Sequence, residues 1–386
     1  MTLRYISQGD EVDKIGIITL NGYFNYGNRL QNYALQETLK SFGYEVETVI
    51  VDDRRLDMST SEVIAKKLNI LKEESLSGTF RIISKKLKDR LNQEAIAKRT
   101  KLFKDFTNRH ISESKYKVTQ KGLDEKYEKT YSFFVAGSDQ IWNPKYVNLP
   151  EIYFLTFTEK KKRIAYAASF GISNIPSEFK ERYVEYLNGM SYISLREGDG
   201  AKIVEELTGN KAPVLLDPSL LLNKQQWLDI SKKPDNIADN MKGKYLLTYF
   251  VEGMDKKTEK EIKKTADRLN LPIINMGDIN DKEGYISGPS QFIWYINNCS
   301  VLCTDSFHGT AFSILLQTPF IVYKRAGANS IYSRIDTLLD KFDLNSRKIE
   351  NIKEDNDLLK VDFTHTVAIL KSERKKAENY LKVALK

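Results

Sequence analysis

The segment at residues 304–310 combines residue types that can bind ligands and transfer protons. It reads Thr-Asp-Ser-Phe-His-Gly-Thr and follows the apolar residues Val301–Cys303. This pattern predicts a buried strand that ends in polar side chains, followed by a helix that begins near Thr310. His308 would then lie at a helix N-terminus, and histidine can act as a general acid or base near neutral pH. We predict that His308 is catalytic, and the structural alternative is a capping or hydrogen-bonded core histidine.

Cationic side chains follow two further predicted strands. Arg196 comes directly after one of them, and Lys324 and Arg325 come after the other. A guanidinium suits bidentate binding of a carboxylate or phosphate. An ion pair with Glu197 or a neighbouring acid is the alternative for Arg196, and a solvated strand end is the alternative for the other two. The stretch 327–334, which ends in Arg334, is a further candidate anion-binding loop.

Amide and hydroxyl side chains are concentrated at two other predicted strand ends. Residues 21–28 read Asn-Gly-Tyr-Phe-Asn-Tyr-Gly-Asn, and residues 137–143 read Gly-Ser-Asp-Gln-Ile-Trp-Asn. Such side chains can hydrogen-bond sugar hydroxyls, and Trp142 could provide an aromatic face for a sugar ring. The alternatives are a plain strand-to-helix turn in the first segment and a capped turn, with Trp142 in the core, in the second.

The elements that must position these residues form an alternating pattern of short β-branched strands and longer helices. That alternation predicts an α/β fold with parallel sheets covered on both faces. A polar segment at 223–244 separates two sets of strands, so we predict an N-terminal domain at 1–232 and a C-terminal domain at 240–386. Ligands bind beyond the carboxyl ends of strands in such sheets, and we expect the two domains to face each other across a cleft.

A charged stretch at about 60–129 interrupts this rhythm and is predicted to be a helical insertion in the first domain. Within it, Phe80, Ile83, Leu87 and Leu91 share one helix face beside several lysines. A basic amphipathic helix can lie on an anionic membrane, so peripheral contact with the inner face of the cell membrane is one hypothesis. A helical hairpin with a solvated face is the other.

Composition and charge restrict the function classes. The 386 residues carry a formal net charge of +8, which favours anionic partners. No nucleic-acid-binding motif is recognised, and nucleic acid is therefore not an expected partner. No apolar run reaches the roughly 18–20 residues that span a bilayer, and the first fourteen residues do not form a secretory signal. The two cysteines, Cys299 and Cys303, are expected to be reduced, and we predict a cytoplasmic protein.

Taken together, these segments resemble the polysaccharide pyruvyltransferase family. The similarity covers residues 15 to about 340 and is carried by several motifs in a characteristic order. These motifs are Asn-Tyr-Gly-Asn-Arg-Leu-Gln-Asn-Tyr-Ala-Leu at 25–35, Gly-Ser-Asp-Gln-Ile-Trp-Asn at 137–143, Ala-Tyr-Ala-Ala-Ser-Phe-Gly at 165–171, Leu-Asp-Pro-Ser at 216–219 and Thr-Asp-Ser-Phe-His-Gly at 304–309.

The resemblance implies a two-domain fold like that of the GT-B glycosyltransferases, with two Rossmann-like domains. It implies phosphoenolpyruvate as the donor substrate, without a cofactor or a metal, and a sugar of a surface glycan or its lipid-linked precursor as the acceptor. The product would carry pyruvate as a ketal. By resemblance, His308 is the general acid, Arg196 matches the family's donor-binding arginine, and Lys324 lies near its lysine.

Two sets of binding residues follow from these expectations. The predicted donor-binding residues are Arg196, Ser306, Gly309, Lys324, Arg325 and Arg334. The predicted acceptor-binding residues are Asn25, Tyr26, Asn28, Ser138, Asp139, Gln140 and Trp142. Several family members carry Arg-Leu directly before the histidine, where this chain has Ser306 and Phe307. Arg325 or Arg334 would have to replace that missing cation.

Two other functions are compatible with this reading. A GT-B glycosyltransferase would use a nucleotide sugar, but no pair of glutamates at the spacing typical of such enzymes follows His308. A non-catalytic family member would instead act as a subunit of a glycan-assembly complex. That hypothesis would gain if His308, Arg196 and Lys324 pointed away from a common cleft.

Overall fold

Two parallel β-sheets organise the chain in the computed structural model, which describes residues 12–52, 92–145, 147, 149–235, 237–251, 253–324 and 333–386. The strands are β1 (Lys14–Ile18), β2 (Glu45–Val51), β3 (Glu113–Val118), β4 (Phe133–Ala136), β5 (Arg163–Ala168), β6 (Tyr192–Leu195), β7 (Leu246–Tyr249), β8 (Ile273–Asn275), β9 (Val301–Thr304) and β10 (Phe320–Val322). The first sheet has the order β3-β2-β1-β4-β5-β6 and the second β10-β9-β7-β8. Every neighbouring pair is parallel, which confirms the predicted α/β class with two Rossmann-like sheets.

Helices connect the strands and cover the sheets. They are α1 (Tyr26–Ser41), α2 (Gln93–His110), α3 (Glu125–Glu128), α4 (Pro150–Tyr153), α5 (Ser177–Asn188), α6 (Gly198–Thr208), α7 (Lys224–Asp229), α8 (Lys256–Leu269), α9 (Lys282–Tyr285), α10 (Pro289–Asn298), α11 (Phe307–Leu316), α12 (Ser333–Lys341), α13 (Asp355–Leu359) and α14 (Thr364–Ala384). Apolar clusters lie on both faces of the first sheet, so its central strands are buried from both sides.

The sixth strand of the first sheet differs from the sequence prediction. The apolar run Val-Leu-Leu at 214–216 has the composition of a buried strand, but in the structure it contributes only an isolated bridge between Val214 and Leu195. The strand is instead β3, in the stretch that was predicted to be helical. Strand β3 is an edge strand, with Ser114 and Val118 buried while Lys115 and Lys117 face solvent, and these charges hide its alternation. The amphipathic segment at 80–91 lies outside the described residues.

The order of the strands reverses at one point in each sheet. In the first sheet this point lies between β1 and β4, and in the second between β7 and β9. The crevice at such a reversal is where ligands bind in open α/β sheets. The segments after β1, β4 and β9 are the ones that the sequence singled out at residues 21–28, 137–143 and 304–310.

An apolar core joins the two sheets. It contains Tyr26 and Leu30 of α1 together with Phe292 of α10 and Phe312 of α11, all of them fully buried. Arg99 of α2 reinforces this junction, because its Nη1 donates to the Tyr26 hydroxyl and to the carbonyl of Tyr285, each at 2.7 Å. Helix α1 therefore packs against the second sheet's helices as well as against its own sheet.

The C-terminal helix returns to the first sheet. Ala377 and Leu381 of α14 pack with Ile15 and Leu35, and the Tyr380 hydroxyl donates to the carbonyl of Ala165 at 2.8 Å. This helix lies within the range predicted for the second domain, yet its apolar face covers the first sheet. Among the described helices, none is long and apolar enough to cross a membrane.

The contact between α14 and the first sheet can be tested with a matched pair of substitutions. Leu381→Ala should lower the free energy of unfolding by about 2–5 kcal/mol, because Leu381 is fully buried. Val383→Ala in the same helix should change it by less than about 0.5 kcal/mol, because Val383 is 53% exposed. Urea denaturation measures both values, and equal effects of the two substitutions would contradict the packing described.

Candidate functional site

His308 lies in the first turn of α11, directly beyond the carboxyl end of β9. Ser306 caps this helix, and its Oγ accepts a hydrogen bond from the Gly309 N–H at 3.3 Å. The Thr304 hydroxyl donates to the carbonyl of Tyr249 at 2.6 Å, and Asp305 Oδ1 accepts from the Val251 N–H at 2.9 Å. These bonds fix the strand end to the neighbouring β7, so the position of the imidazole is set by the second sheet.

The imidazole of His308 lies between two parts of the first sheet. On one side is Gly27 in the first turn of α1, where an added Cβ atom would overlap Nδ1 of the ring. On the other side is Asp217, whose Oδ2 lies 3.7 Å from Nε2. The ring is buried, and within the described part of the chain its Nε2 has no hydrogen-bond partner. His308 is thus the point at which the second sheet meets the first.

Asp217 is contacted by several of the polar side chains of the candidate site. Its Oδ1 accepts hydrogen bonds from the backbone N–H of Ser219 at 2.9 Å and from the Ser219 hydroxyl at 2.7 Å. Its Oδ2 lies 2.7 Å from Arg196 Nη1 and 2.8 Å from the Ser138 hydroxyl. Burial by itself would raise the pKa of Asp217, but His308, Arg196 and Ser219 outweigh it and hold the pKa well below its usual range.

Arg196 is buried and balanced by acids. Besides Asp217, its Nη2 lies 3.5 Å from Asp139 Oδ1, and its guanidinium lies 4.4 Å from the centre of the Phe307 ring. Burial would lower the pKa of Arg196, but Asp217, Asp139 and Glu197 outweigh that effect and raise it. The ion pair that was the structural alternative for Arg196 is therefore present, although its main partner is Asp217. The ring of Phe307 packs on this cation.

Glu197 forms a second buried acidic position beside Arg196. Its Oε1 accepts hydrogen bonds from the Ser169 hydroxyl at 3.0 Å and from the backbone N–H groups of Phe170 and Gly171 at 2.9 and 3.2 Å. Burial raises the pKa of Glu197, and the nearby charges of Arg196 and Arg334 offset this only in part. Arg334, a predicted donor-binding residue in α12, is thereby placed in the same charged cluster as Arg196.

The other predicted donor-binding residues have different surroundings. Lys324 follows β10 at the same sheet edge as Ser306, its side chain is 70% exposed, and it pairs with Glu350 at 3.1 Å. Ser306 and Gly309 bond to each other in the helix cap. Arg325 lies outside the described residues.

Two of the predicted acceptor-binding residues lie in the core. Trp142 is fully buried, its ring stacks on Phe154 at 4.6 Å, and its Nε1 donates to the carbonyl of Tyr153. Tyr26 is also fully buried, stacked on Phe292 and bonded through its hydroxyl to Arg99. The expectation that these two rings contact an acceptor is corrected, because no sugar can reach either ring in this packing. For Trp142 this is the alternative that the sequence left open.

Among the remaining acceptor candidates, Ser138 and Asp139 contact the charged cluster around Asp217. Ser138 bonds to Asp217, and Asp139 reaches Arg196 from a left-handed backbone position with φ of 79°. Asn25 caps α1 by accepting from the Gly27 N–H at 2.9 Å. Asn28 is buried, whereas Asn25 and Gln140 are partly exposed, which leaves these two best placed to contact a bound molecule.

The sequence analysis did not place Asp217 in the site, and it considered Glu197 only as an ion-pair partner of Arg196. The motif Leu-Asp-Pro-Ser at 216–219 was noted, but an aspartate before a proline is also typical of an ordinary turn. Asp217 does cap the short 3-10 helix Pro218–Leu220. The contacts of Asp217 with Arg196 and His308 join residues that lie 21 and 91 positions away, which no local pattern reveals.

A separate cavity of about 200 Å³ opens beyond the carboxyl ends of β7 and β8. Its described lining residues are Phe250, Gly253, Met254, Glu259, Asn275, Gly277 and Asp278. Among these residues there is no lysine or arginine, and there are two carboxylates. These described residues are therefore poorly suited to an anionic ligand.

Comparison with known proteins identifies a family. A family model described as polysaccharide pyruvyl transferase matches residues 25–326, which is most of the chain. Among curated proteins, no significant match was found.

Solved structures show similarity at low sequence identity. The UDP-GlcNAc 2-epimerase from Methanocaldococcus jannaschii is 14% identical in sequence. The match covers 93% of this chain and 99% of the epimerase chain, with a TM-score of 0.44. The glycosyltransferase SnogD from Streptomyces nogalater has 11% identity, covers 97% and 99%, and gives a TM-score of 0.43.

The contact between Gly27 and His308 can be tested by substitution. Alanine is ordinarily favoured over glycine in a helix by up to about 1 kcal/mol. Gly27→Ala should nevertheless lower the free energy of unfolding by about 1–3 kcal/mol, because the new methyl group overlaps the imidazole. Urea denaturation measures the change, and the NMR signals of the His308 ring should shift.

Gly198→Ala is the matched control, since a Cβ atom there would meet its nearest neighbour, Thr337 Oγ1, only at 3.8 Å. This variant should be as stable as the original chain or more stable. If Gly27→Ala were also as stable as the original chain, this result would contradict the close contact between Gly27 and His308.

Proposed function

Because the chain belongs to the polysaccharide pyruvyl transferase family, we propose that it transfers pyruvate from phosphoenolpyruvate to a sugar as a ketal. The acceptor is a sugar of a surface glycan or of its lipid-linked precursor. The observation that carries this proposal is the position of His308, held at a helix N-terminus between Asp217 and Gly27 and beside the buried cation Arg196. A site for this reaction requires a proton donor next to groups that bind an anion.

The reaction begins with His308 as the general acid. The protonated imidazole donates its proton to the methylene carbon of phosphoenolpyruvate, which becomes a methyl group and leaves positive charge on the adjacent carbon. One sugar hydroxyl attacks that carbon, and its proton returns to His308. Phosphate then leaves with its bonding electrons, the second hydroxyl attacks the same carbon, and its proton passes to the phosphate. The products are the pyruvyl ketal and inorganic phosphate.

The donor's carboxylate and phosphate need cations. We assign them to Arg334 and Lys324, with Arg196 holding the acidic residues that border the site. Lys324 is an exposed cation at the carboxyl end of β10 and can move from Glu350 to a bound phosphate. Asn25 and Gln140, which are partly exposed beside the same crevice, are proposed to hydrogen-bond the acceptor.

The convergence of His308 and Arg196 on one carboxylate disfavours a non-catalytic role. A nucleotide-sugar glycosyltransferase remains the competing enzyme class. Thermal-shift measurements with phosphoenolpyruvate and with nucleotides distinguish the two, since only the ligand that the site binds raises the melting temperature.

The role of His308 is tested by incubating the protein with phosphoenolpyruvate and a panel of lipid-linked sugars. The original chain should release phosphate in an acceptor-dependent manner and yield a product heavier by one pyruvyl ketal. His308→Gln should lower this rate at least about a hundredfold, since general acid catalysis contributes at least that much. His365→Gln, in which the changed ring bonds only to the carbonyl of Phe342, should retain the rate. Equal rates in both variants would exclude His308 as the acid.

The role of Lys324 is tested by Lys324→Met. The Michaelis constant for phosphoenolpyruvate should rise about tenfold, because a charge-assisted hydrogen bond to the donor is lost. Lys98→Met is the matched control, since Lys98 is also exposed and paired, with Glu94 on α2. Steady-state kinetics measure both, and an unchanged constant in Lys324→Met would remove this residue from the donor site.

A further inference from the structure

The two oxygens of Asp217 have separate partners. Oδ1 is occupied by the N–H and the hydroxyl of Ser219, and these bonds suffice to cap the short helix Pro218–Leu220. Oδ2 takes no part in that cap. It bonds to Arg196 and lies beside the Ser138 hydroxyl on one side, and it faces Nε2 of His308 on the other. The second oxygen is therefore directed into the site.

The other charges near His308 do not provide the same support. The N-terminus of α11 carries partial positive charge, which disfavours a protonated imidazole. Helix α10 has no charged residue, and the first turn of α1 has no acid. Arg334 of α12 acts on Glu197, and Asp305 accepts a hydrogen bond from the Val251 N–H. Asp217 is the acid that the described structure places directly against the imidazole.

We propose that Asp217 is the positioning residue of the site, with one oxygen that both anchors Arg196 and stabilises the protonated form of His308. The catalytic consequence rests on the proposed pyruvyl transfer, whereas the effect on His308 does not. No contact of Asp217 with a substrate is involved. It acts through the two side chains that it holds.

The charge balance of this group explains how the acid is restored. With His308 protonated, the two cations His308 and Arg196 balance the two carboxylates Asp217 and Asp139. When His308 has given its proton to the donor, a net negative charge remains in a buried environment, which is costly. Return of a proton from the attacking hydroxyl to His308 removes that charge. The carboxylate of Asp217 thus favours the protonated form of His308 at the start of each catalytic cycle.

The proposal is tested by NMR titration of the histidine rings, which requires neither substrate nor turnover. The chain has three histidines, so the His308 signal is assigned by its loss in His308→Gln. In Asp217→Asn the pH at which His308 is half-protonated should fall by about 1–3 units, because an opposite charge within a few ångströms is removed. The signals of His110 and His365 should stay unchanged and thereby report that the fold is intact.

Arg196→Met provides an opposite test. Without the guanidinium of Arg196, the negative charge of Asp217 interacts with His308 in the absence of a competing cation. The pH at which His308 is half-protonated should therefore rise by about one unit or more. Asp217→Glu retains the charge and should restore most of the shift. Ser219→Ala loses a bond to Oδ1 only and should leave the titration of His308 nearly unchanged.

Opposite shifts in Asp217→Asn and Arg196→Met support the proposal, because a merely structural role predicts no such difference in sign. An unchanged half-protonation pH in Asp217→Asn with an intact fold overturns it. If Asp217→Asn does not fold, Arg196→Met and Asp217→Glu decide, and the absence of an upward shift in Arg196→Met overturns the proposal.

Measurements of turnover against pH provide a second readout. The kcat of Asp217→Asn should begin to decline at a lower pH than the kcat of the original chain, with little change in the Michaelis constant. Failure of the native chain to use phosphoenolpyruvate would contradict the proposed function and leave the titration result standing.

Discussion

The carboxylate of Asp217 is the constraint on which the candidate site depends. It is buried, and a buried charge must be compensated by ion pairs and hydrogen bonds. Arg196, Ser138 and Ser219 provide that compensation from strand ends and turns of the first sheet, and His308 approaches from the second. The need to compensate this one acid therefore fixes the relative positions of the residues that we propose to carry the chemistry.

The apolar packing between the two sheets fixes the position of His308 relative to α1. The apolar core around Tyr26, Phe292 and Phe312 holds α1 against α10 and α11, and Gly27 then permits the imidazole to lie directly on the first turn of α1. A side chain at position 27 would force the two sheets apart at this point. The glycine in the Asn-Tyr-Gly-Asn motif is thus explained by the approach of His308, and not by an unusual backbone angle.

The sequence predicted the strand ends well because each apolar run stops where polar residues begin. The apolar runs at residues 133–136, 163–168, 192–195 and 301–304 all form strands. Strand β3 was missed because an edge strand needs few apolar residues. Trp142 was assigned to a ligand because composition alone cannot show which side of a turn faces the core. Asp217 was missed because its partners lie far along the chain, and only tertiary structure brings an aspartate-proline turn next to Arg196 and His308.

The central claim is that His308 delivers a proton to the methylene carbon of phosphoenolpyruvate, and the most direct test is to run the transfer in D₂O. The exchangeable proton of the imidazole is then a deuteron, and the methyl group of the new ketal should contain one deuterium, visible by mass spectrometry and by proton NMR. An undeuterated methyl group, or a deuterated ketal formed by His308→Gln at the rate of the original chain, would contradict the account.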